Sequence, residues 1–422
     1  MGPKWGALQA LILLLVLVLL LSAQLFWFRS AWRALKRIGS PKWILLLRTL
    51  VVAALLWLIV VLADRLFLHF LPRSGPTRWI MTLAQLWLVP SFFAFLLVKL
   101  VHGIEWIWDR GAQLFRRTPP ASPTIAQNTA VDLGRRSFFR YAAAAAGAAP
   151  LLAALYGFAR ERLQFTVHRV EVPVANLPPA LDGFRIVQLS DIHVGSFMPP
   201  EQIRRAVDMA NGLGAQVAVV TGDFLTGAGD PLEDCIAELS RLQSPLGTWG
   251  CNGNHEIYAD AEETAQQLFQ KYGMRLLRQE NAPLRWNGQE INLVGVDYQR
   301  ERFRSGAHAP MLSAIEPLIR RDVPNLLLSH NPNSFYRAAE LGIELSLAGH
   351  THGGQVQVEI VDHRWNPARF ITKFIAGLYS LPLNGTARRS FLYVNRGLGT
   401  IGVPARLGVD PEVTLLTLRT QG

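Results

Sequence analysis

Four long apolar stretches occupy the chain up to Ala159, with few polar positions inside them. Three of them, Ala7 to Phe28, Trp43 to Ala63 and Trp79 to Val101, consist almost entirely of aliphatic and aromatic residues. Each is long enough to cross the hydrocarbon core of a bilayer, which needs about 20 apolar residues. Pro90 interrupts the third stretch, but a proline can kink a membrane helix without excluding it. The pattern predicts an all-α transmembrane region over residues 1–101.

The fourth apolar stretch, Tyr141 to Ala159, is rich in alanine and less hydrophobic than the other three. The residues before it, Gly134 to Arg140 (G-R-R-S-F-F-R), resemble a twin-arginine export signal. A plain fourth membrane helix with cytoplasmic arginines explains the same residues. Residues 102–140 are predicted to form a cytoplasmic segment with an interfacial helix (Gly103 to Phe115), a linker (Thr118 to Thr124) and the paired arginines.

Basic residues are distributed unevenly along the chain. They cluster between the first two apolar stretches and after the third, whereas only Arg65, Arg73 and Arg78 lie between the second and third. The positive-inside rule therefore predicts a multi-pass protein of the inner membrane, with residues 160–422 on the extracytoplasmic, periplasmic side. Up to residue 159 there are 17 Lys and Arg against 4 Asp and Glu, and after it 25 against 27. The second part lacks the positive excess of nucleic-acid binding, which disfavours nucleic acid as a partner.

From Gln164 onward short apolar runs alternate with helical segments, which is typical of an α/β domain. Five of the runs end in polar residues of metal-binding types. Because ligands of open α/β sheets bind at the carboxyl ends of strands, these side chains are predicted to converge. The five groups are Ser190–His193 (S-D-I-H), Thr221–Asp223 (T-G-D), Asn252–Glu256 (N-G-N-H-E), Ser329–Asn331 (S-H-N) and Ser346–Gln355 (S-L-A-G-H-T-H-G-G-Q).

The residue types in these groups indicate one kind of metal chemistry. Carboxylate, imidazole and amide oxygen without thiolate suit borderline or hard divalent ions rather than a cysteine-bound zinc. Two such ions about 3.5–4 Å apart can stabilise both the attacking and the leaving oxygen of a displacement at phosphorus. A single motif of this kind more often has a structural role, but five in this order predict a metal-dependent phosphoesterase.

On these motifs, the chain from Gln164 to its C-terminus resembles the calcineurin-like metallophosphoesterases. It is similar in particular to a membrane-anchored bacterial branch whose catalytic domain follows an anchor or a twin-arginine signal. Tyr393–Thr400 (Y-V-N-R-G-L-G-T) and Pro411–Leu418 (P-E-V-T-L-L-T-L) also resemble that branch. The resemblance implies an α/β fold, a four-layer αββα sandwich over residues 160–422, with a two-metal site between the sheet ends.

The resemblance also implies a role for each motif residue. His255 would face the substrate as general acid or transition-state stabiliser, and a histidine beside two cations can be tuned to donate a proton near neutral pH. The expected cofactors are two divalent ions, with Mn, Zn or Fe as the candidates. The implied ligands are Asp191, His193 and His352 for the first ion, Asn254, His330 and His350 for the second, and Asp223 as the bridge.

One position departs from the phosphatase branches of the family. Where those branches extend the motif to G-D-x-x-D-R-G, this chain reads G-D-F-L-T-G, with Thr226 in place of the aspartate that orients the histidine. The partner that orients His255 is therefore left open, and protein-phosphatase activity is disfavoured. Glu256 is predicted to have either a capping or an orienting role.

The predicted function is hydrolysis of a phosphodiester or pyrophosphate at the extracytoplasmic face of the membrane. Two other classes fit parts of the pattern. A polytopic membrane sensor or scaffold with a degenerate metal domain would account for the extra spans, but it predicts missing ligands. An extracytoplasmic nuclease would share the metal site, but it predicts a basic groove.

A lipid-linked phosphoester is one candidate substrate, because strand structure is predicted within a few residues of the fourth apolar stretch. Residues Pro367 to Leu383 interleave Phe370, Phe374 and Tyr379 with basic residues, a composition that suits contact with an anionic membrane surface. The alternative is that these apolar side chains cover the core of the domain.

The predicted topology can be tested with reporter fusions. We expect a reporter that is active only in the periplasm to be active when fused after Gly422 and inactive when fused after Ser122, because the basic loops hold Ser122 in the cytoplasm. The measurement is reporter activity at matched expression. The reverse pattern would contradict the assignment of the basic loops.

Overall fold

The computed structural model describes residues 7–36, 41–63, 75–115, 125–300, 310–360, 363–366, 369 and 372–421. The chain divides into two compact units, with the boundary between Tyr156 and Gly157. The predicted boundary of the α/β domain was residue 160.

Four helices are long and apolar enough to cross a membrane, by length and composition. They are α1 (Ala7–Leu35), α2 (Pro41–Ala63), α3 (Gly75–Phe115) and α4 (Ile125–Ala159). The four predicted apolar stretches fall inside them.

The helices extend beyond the predicted stretches. The predicted interfacial helix from Gly103 to Phe115 is not separate but continues α3, because no proline interrupts these residues. The paired arginines, Arg135 and Arg136, lie inside α4. The predicted linker from Thr118 to Thr124 lies outside the described residues.

Polar side chains connect α1 to α3 within the first unit. Gln24 donates from Nε2 to Ser91 Oγ at 3.1 Å and accepts from Trp87 Nε1 at 2.9 Å. Trp27 Nε1 donates to the Ser91 carbonyl at 2.9 Å. Polar groups inside a membrane need partners, and bonds of this kind hold helices together. The network therefore gives α1 and α3 a defined register.

The second unit contains two six-stranded mixed sheets. The order of the first sheet is β1-β14-β2-β3-β4-β5, and that of the second is β12-β13-β9-β8-β7-β6. A separate hairpin consists of β10 (Val358–Ile360) and β11 (His363–Trp365). The strands of the first sheet are β1 (Thr166–Val174), β2 (Arg185–Leu189), β3 (Val217–Thr221), β4 (Thr248–Cys251), β5 (Arg275–Leu276) and β14 (Glu412–Thr420), and those of the second are β6 (Glu280–Trp286), β7 (Gln289–Gly295), β8 (Asn325–Leu328), β9 (Leu345–Ala348), β12 (Gly377–Pro382) and β13 (Arg389–Val394).

Alternation along the strands places apolar side chains on both faces of each sheet. In β3, Val217 and Val219 belong to the core between the two sheets, whereas Ala218 and Val220 belong to the core under the helices. The helices on that face are α5 (Pro200–Asn211), α6 (Leu232–Leu239) and α8 (Glu262–Lys271), and α7 (Asn254–Ala259) precedes α8.

The outer face of the second sheet is covered in the same way. Leu327 of β8 packs with Ala338 of α9 (Phe335–Leu341), while Leu326 and Leu328 face the inter-sheet core. Two sheets with helices on both outer faces form the predicted four-layer αββα arrangement. Because β2, β3 and β4 run parallel, as do β7, β8 and β9, the carboxyl ends of the central strands lie at one edge of each sheet.

The described apolar side chains just before β12 cover the core instead of presenting a membrane-binding face. Phe374 and Ile375 are buried, and Phe374 packs with Phe335 and Leu392. The Tyr379 hydroxyl accepts the Ile375 N–H at 2.9 Å. The membrane-surface interpretation was therefore wrong for Phe374, because α9 leaves an apolar face that this side chain fills. Phe370 lies outside the described residues.

Substitution of Phe374 tests this structural role. We expect Phe374→Ala to lower the free energy of unfolding by about 3–5 kcal/mol, the usual cost of emptying a buried aromatic site. The control is Leu378→Ala, because Leu378 is 38% exposed and exposed positions usually change stability by less than about 0.5 kcal/mol. The measurement is unfolding of the detergent-solubilised chain, and equal effects of the two variants would contradict the packing.

Candidate metal centre

The loops that follow four central strands bring the predicted side chains together. Asp191 and His193 follow β2, Asp223 follows β3, His330 follows β8, and His350 leads the segment after β9. Backbone bonds join these loops to each other. The Asp191 N–H donates to Gly222, the His193 N–H to Asp223, and the Gly349 N–H to His330, all at 3.0 to 3.2 Å. These hydrogen bonds between backbone atoms fix the loops relative to one another.

Five of the predicted ligands have left-handed backbone conformations. Non-glycine residues adopt a positive φ rarely, and they persist in it only where the surrounding structure imposes it. A cluster of such residues is typical of a functional site. The residues are Asp191 (φ 49°), His193 (φ 50°), Asp223 (φ 55°), His350 (φ 76°) and His352 (φ 51°).

Two glycines permit the close approach of these loops. A Cβ atom at Gly349 would lie 2.2 Å from Asp191 Oδ2, and one at Gly253 would lie 2.2 Å from Asp223 Oδ1. Any side chain at either position would therefore displace a carboxylate of the cluster.

The first group of ligand-type atoms comes from Asp191, His193, Asp223 and His352, and all are buried. The Nε2 atoms of His193 and His352 lie 3.1 Å apart. Each ring directs its Nδ1 to a backbone carbonyl, His193 to Leu225 at 3.1 Å and His352 to Gly399 at 3.3 Å. With the proton on each Nδ1, two lone pairs face one another across the gap. A cation between them fits this arrangement.

The second group contains Asp223, His330 and His350 and shares Asp223 with the first. His350 Nδ1 lies 2.7 Å from Oδ1 of Asn254. His330 directs Nδ1 to the Thr221 carbonyl at 2.6 Å, and its buried Nε2 has no well-formed hydrogen bond, although Asp223 Oδ2 is 3.1 Å away. Buried polar atoms without partners are rare in native structures, and a metal ion would satisfy this one. The residues present therefore fit a divalent metal centre.

The electrostatics keep most of the imidazoles neutral. Burial lowers the pKa of His193 to about 3 and that of His350 to about 4, and it holds the pKa of His352 well below its usual value. Burial also acts to lower the pKa of His330, but the Asp223 and Asp191 carboxylates outweigh it and raise the pKa to about 10. Neutral imidazoles are the form that binds metals, and a cation would replace the proton held by His330.

A family model described as calcineurin-like phosphoesterase matches residues 184–354, the part of the chain that holds both groups. The chain contains a calcineurin-like phosphoesterase domain. The match includes every predicted ligand.

Curated relatives share this domain. A stretch of 263 residues is 34% identical to a Bos taurus protein named "Transmembrane protein with metallophosphoesterase domain" and covers 60% of this chain and 57% of that protein. A Bacillus subtilis protein named "Uncharacterized metallophosphoesterase YkuE" is 27% identical over 68% of this chain and 98% of its own length. An Escherichia coli protein named "Phosphodiesterase YaeI" is 26% identical over 56% and 82%. The matched stretch thus spans less than two thirds of the cattle protein.

In this calcineurin-like domain, the orienting partner of His255 is a backbone group. His255 Nδ1 lies 2.6 Å from the carbonyl of Thr226, the residue that replaces the aspartate of the phosphatase branches. The His255 ring also packs edge-on against His193, with centroids 4.7 Å apart. A carbonyl can accept a hydrogen bond from Nδ1–H as an aspartate would. Nε2 is then the ring nitrogen that faces away from this bond and can exchange a proton. Sequence reasoning missed this contact because any residue type supplies a carbonyl.

Glu256 holds the loop of the calcineurin-like domain that carries Asp223. Its carboxylate is fully buried and accepts four backbone N–H groups, from Gly253 at 2.7 Å, Phe224 at 2.8 Å, Asp223 at 2.9 Å and Leu225 at 3.3 Å. Burial raises its pKa to about 7, assisted by the charge of Asp223 and opposed by these hydrogen bonds. The structure therefore favours the orienting role over simple capping.

Two tyrosines that the sequence did not indicate border the site. The Tyr298 ring lies 5.4 Å from the His350 ring, and the exposed Tyr258 ring lies 5.6 Å from the His255 ring, measured between centroids. Neither tyrosine belongs to a predicted motif. Tyr298 lies in a loop after β7, and only the fold brings that loop to the site.

A glutamine at position 256 tests the orienting role. In Glu256→Gln an amide donor replaces an acceptor oxygen that faces two backbone N–H groups. We therefore expect the free energy of unfolding to fall by about 2 kcal/mol or more, and the metal content to be lower at subsaturating metal. The control is Glu263→Gln, which changes an exposed carboxylate of α8. The measurements are unfolding and bound metal by elemental analysis, and an unchanged metal content would contradict the role.

Proposed function

We propose that this chain is a membrane-anchored, metal-dependent phosphoesterase that hydrolyses a phosphodiester or a pyrophosphate. One observation supports this most strongly. The two groups of ligand-type atoms share Asp223, and within each group the atoms lie within 4.8 Å of one another. A shared carboxylate between two such groups is the arrangement that two neighbouring cations require.

The ligands assigned from the sequence apply in this proposal. Asp191, His193 and His352 would hold the first ion, Asn254, His330 and His350 the second, and Asp223 both. Mn, Zn and Fe all suit these imidazole and oxygen donors. When bound, the ions would lower the pKa of water and offset negative charge on the phosphoryl oxygens.

The protein's own residues then position and protonate the substrate. The backbone N–H of His255 donates to Asp223 Oδ1 at 3.0 Å, and Nδ1 of its ring faces the Thr226 carbonyl. As the bond from phosphorus to the leaving oxygen breaks, His255 would transfer the proton on Nε2 to that oxygen. Glu256 keeps the Asp223 loop in place throughout.

The two alternative classes receive less support. A degenerate sensor or scaffold would lack ligands, but all seven predicted metal ligands are present and meet in the two groups or beside them. A nuclease would use a basic groove, whereas the chain after residue 159 has 25 basic and 27 acidic residues. We keep the nuclease as an outcome of the assay.

The location and the substrate class belong to the same proposal. The basic loops favour the extracytoplasmic side of the inner membrane for the catalytic domain. β1 begins at Thr166, close after the end of α4 at Ala159, so a phosphoester at the membrane surface is within reach. A lipid-linked substrate is supported by this short connection alone, because Phe374 is buried.

Two substitutions separate metal binding from proton transfer. We expect Asp223→Ala to lose bound metal and all phosphoesterase activity while the fold persists. We expect His255→Ala to retain metal while turnover falls by about 10²-fold or more, the usual contribution of a positioned acid. The measurements are metal content and hydrolysis of a monoester, a diester, a pyrophosphate and DNA with Mn²⁺.

The outcomes distinguish the three classes. Preferred hydrolysis of DNA would favour the nuclease, and absence of metal and of turnover in the wild-type chain would favour the scaffold. Metal-dependent turnover retained in both variants would contradict the assigned roles.

A further inference from the structure

Arg406 is a fully buried arginine that lies in none of the recognised motifs. Its guanidinium donates to four backbone carbonyls, from Nη2 to Arg396 at 2.8 Å, Gly397 at 3.0 Å and Gly399 at 2.5 Å, and from Nη1 to Val409 at 3.5 Å. Among the described residues it forms no ion pair with a carboxylate. A buried charge is costly unless hydrogen bonds compensate it. The position therefore indicates a specific demand at residues 396–399.

That segment, called here the glycine loop (residues 396–399), lies directly against the first ligand group. The Gly399 N–H donates to the Asp191 carbonyl at 2.7 Å, and the Gly399 carbonyl faces His352 Nδ1 at 3.3 Å. A Cβ at Gly397 would lie 2.6 Å from the Asp191 Cβ. The carbonyl that sets the orientation of the His352 ring is thus held in turn by Arg406.

The end of α4 holds Arg406 from the other side. The Arg406 N–H donates to the Gly157 carbonyl at 3.4 Å, and a Cβ at Gly157 would lie only 2.3 Å from the Arg406 carbonyl oxygen. The buried Glu161 carboxylate accepts the N–H of Gly408. These contacts need a glycine at position 157, where the helix backbone meets the backbone around Arg406.

The residues after α4 also contact the loop that carries the first ligands. Arg162 donates to the Phe197 carbonyl at 2.7 Å, and Phe197 follows His193 in the same loop. Phe158 packs edge-on against the Phe197 ring, with centroids 6.1 Å apart. Residues 157–162 therefore contact Arg406, which holds the glycine loop, and the loop that carries the first ligands.

We infer that Arg406 is a positioning residue for the first metal, and that Gly157 at the end of α4 keeps Arg406 in place. This inference rests on the proposed metal site. Without the guanidinium, the Gly399 carbonyl loses its donor and the orientation of His352 is no longer fixed. Among the described residues, the Arg406 guanidinium donates to no carbonyl that orients a ligand of the second group, where the Thr221 carbonyl facing His330 is held by the Ser190 hydroxyl at 2.9 Å instead. The effect should therefore be confined to one of the two ions.

The test uses the full chain in detergent and Mn²⁺ as the probe. The variants are Arg406→Met, which removes the charge, Arg406→Lys, which keeps the charge on a side chain one bond shorter, and Gly157→Ala. The matched control is Gly134→Ala in the same helix, where a Cβ meets nothing within 4 Å. Both alanines favour helix formation, so only the contact with Arg406 differs between them.

We expect the wild type and Gly134→Ala to bind two Mn²⁺ per chain in calorimetric titration. Arg406→Met and Gly157→Ala should bind one ion about 10-fold more weakly or worse, the usual effect of changing a residue that holds a metal ligand in place. The affinity for the other ion should stay within about twofold of the wild-type value. Arg406→Lys should be intermediate. Thermal unfolding of each metal-free variant serves as the check on folding.

Several results would overturn the inference. Equal affinities in all variants would show that Arg406 does not position the first group, and a parallel loss of both ions with a lower unfolding temperature would show a general structural role. If Arg406→Met does not fold, Gly157→Ala alone decides. A wild-type chain that binds no Mn²⁺ overturns the proposed function as well, whereas two bound ions with unaffected variants overturn only this inference.

Discussion

The α/β unit depends on one constraint, which is that buried imidazole nitrogens point at each other. Nε2 of His193 and of His352 are 3.1 Å apart, and both rings have their Nδ1 occupied by backbone carbonyls. Lone pairs at this distance repel unless a cation lies between them. The nearby carboxylates, the Asn254 amide and the partnerless Nε2 of His330 fit the same cation chemistry. The surrounding fold has to hold these groups in an arrangement they would not adopt alone.

Two buried charges of opposite sign supply much of that hold. The Glu256 carboxylate accepts four N–H groups around Asp223, and the Arg406 guanidinium donates to three carbonyls beside Asp191 and His352. Each satisfies backbone groups of a loop that borders the ligand groups. Glycines at 253 and 349 leave room for the carboxylates, and left-handed ligands complete the turns. The metal centre is therefore supported by buried polar contacts as much as by the sheets.

The membrane region shows a different division between local and distant causes. Apolar length alone indicated the four helices, because a span needs only enough consecutive apolar residues. The extension of α3 through Phe115 was not predicted, since a helix continues past polar residues unless a breaker stops it. Phe374 was open to two interpretations, because an apolar side chain covers a core and a membrane equally well. Its contacts with Phe335 and Leu392 decided between them.

The sequence by itself determined the α/β class and the strands that end in the predicted ligands, because period-two patterns and residue chemistry are local properties. The structure brings together the side chains that follow these strands, as their positions at the strand ends predict. They are Asp191, His193, Asp223, His330, His350 and His352. Only the tertiary structure decided what orients them. Glu256 and Arg406 hold the ligand loops through hydrogen bonds to the backbone, and Gly157 contacts a segment far along the chain. Thr226 orients His255 through its carbonyl. The sequence left two roles open for Glu256, but it could not indicate the backbone partners of Thr226, Glu256 and Arg406, because carbonyl and N–H groups are common to every residue.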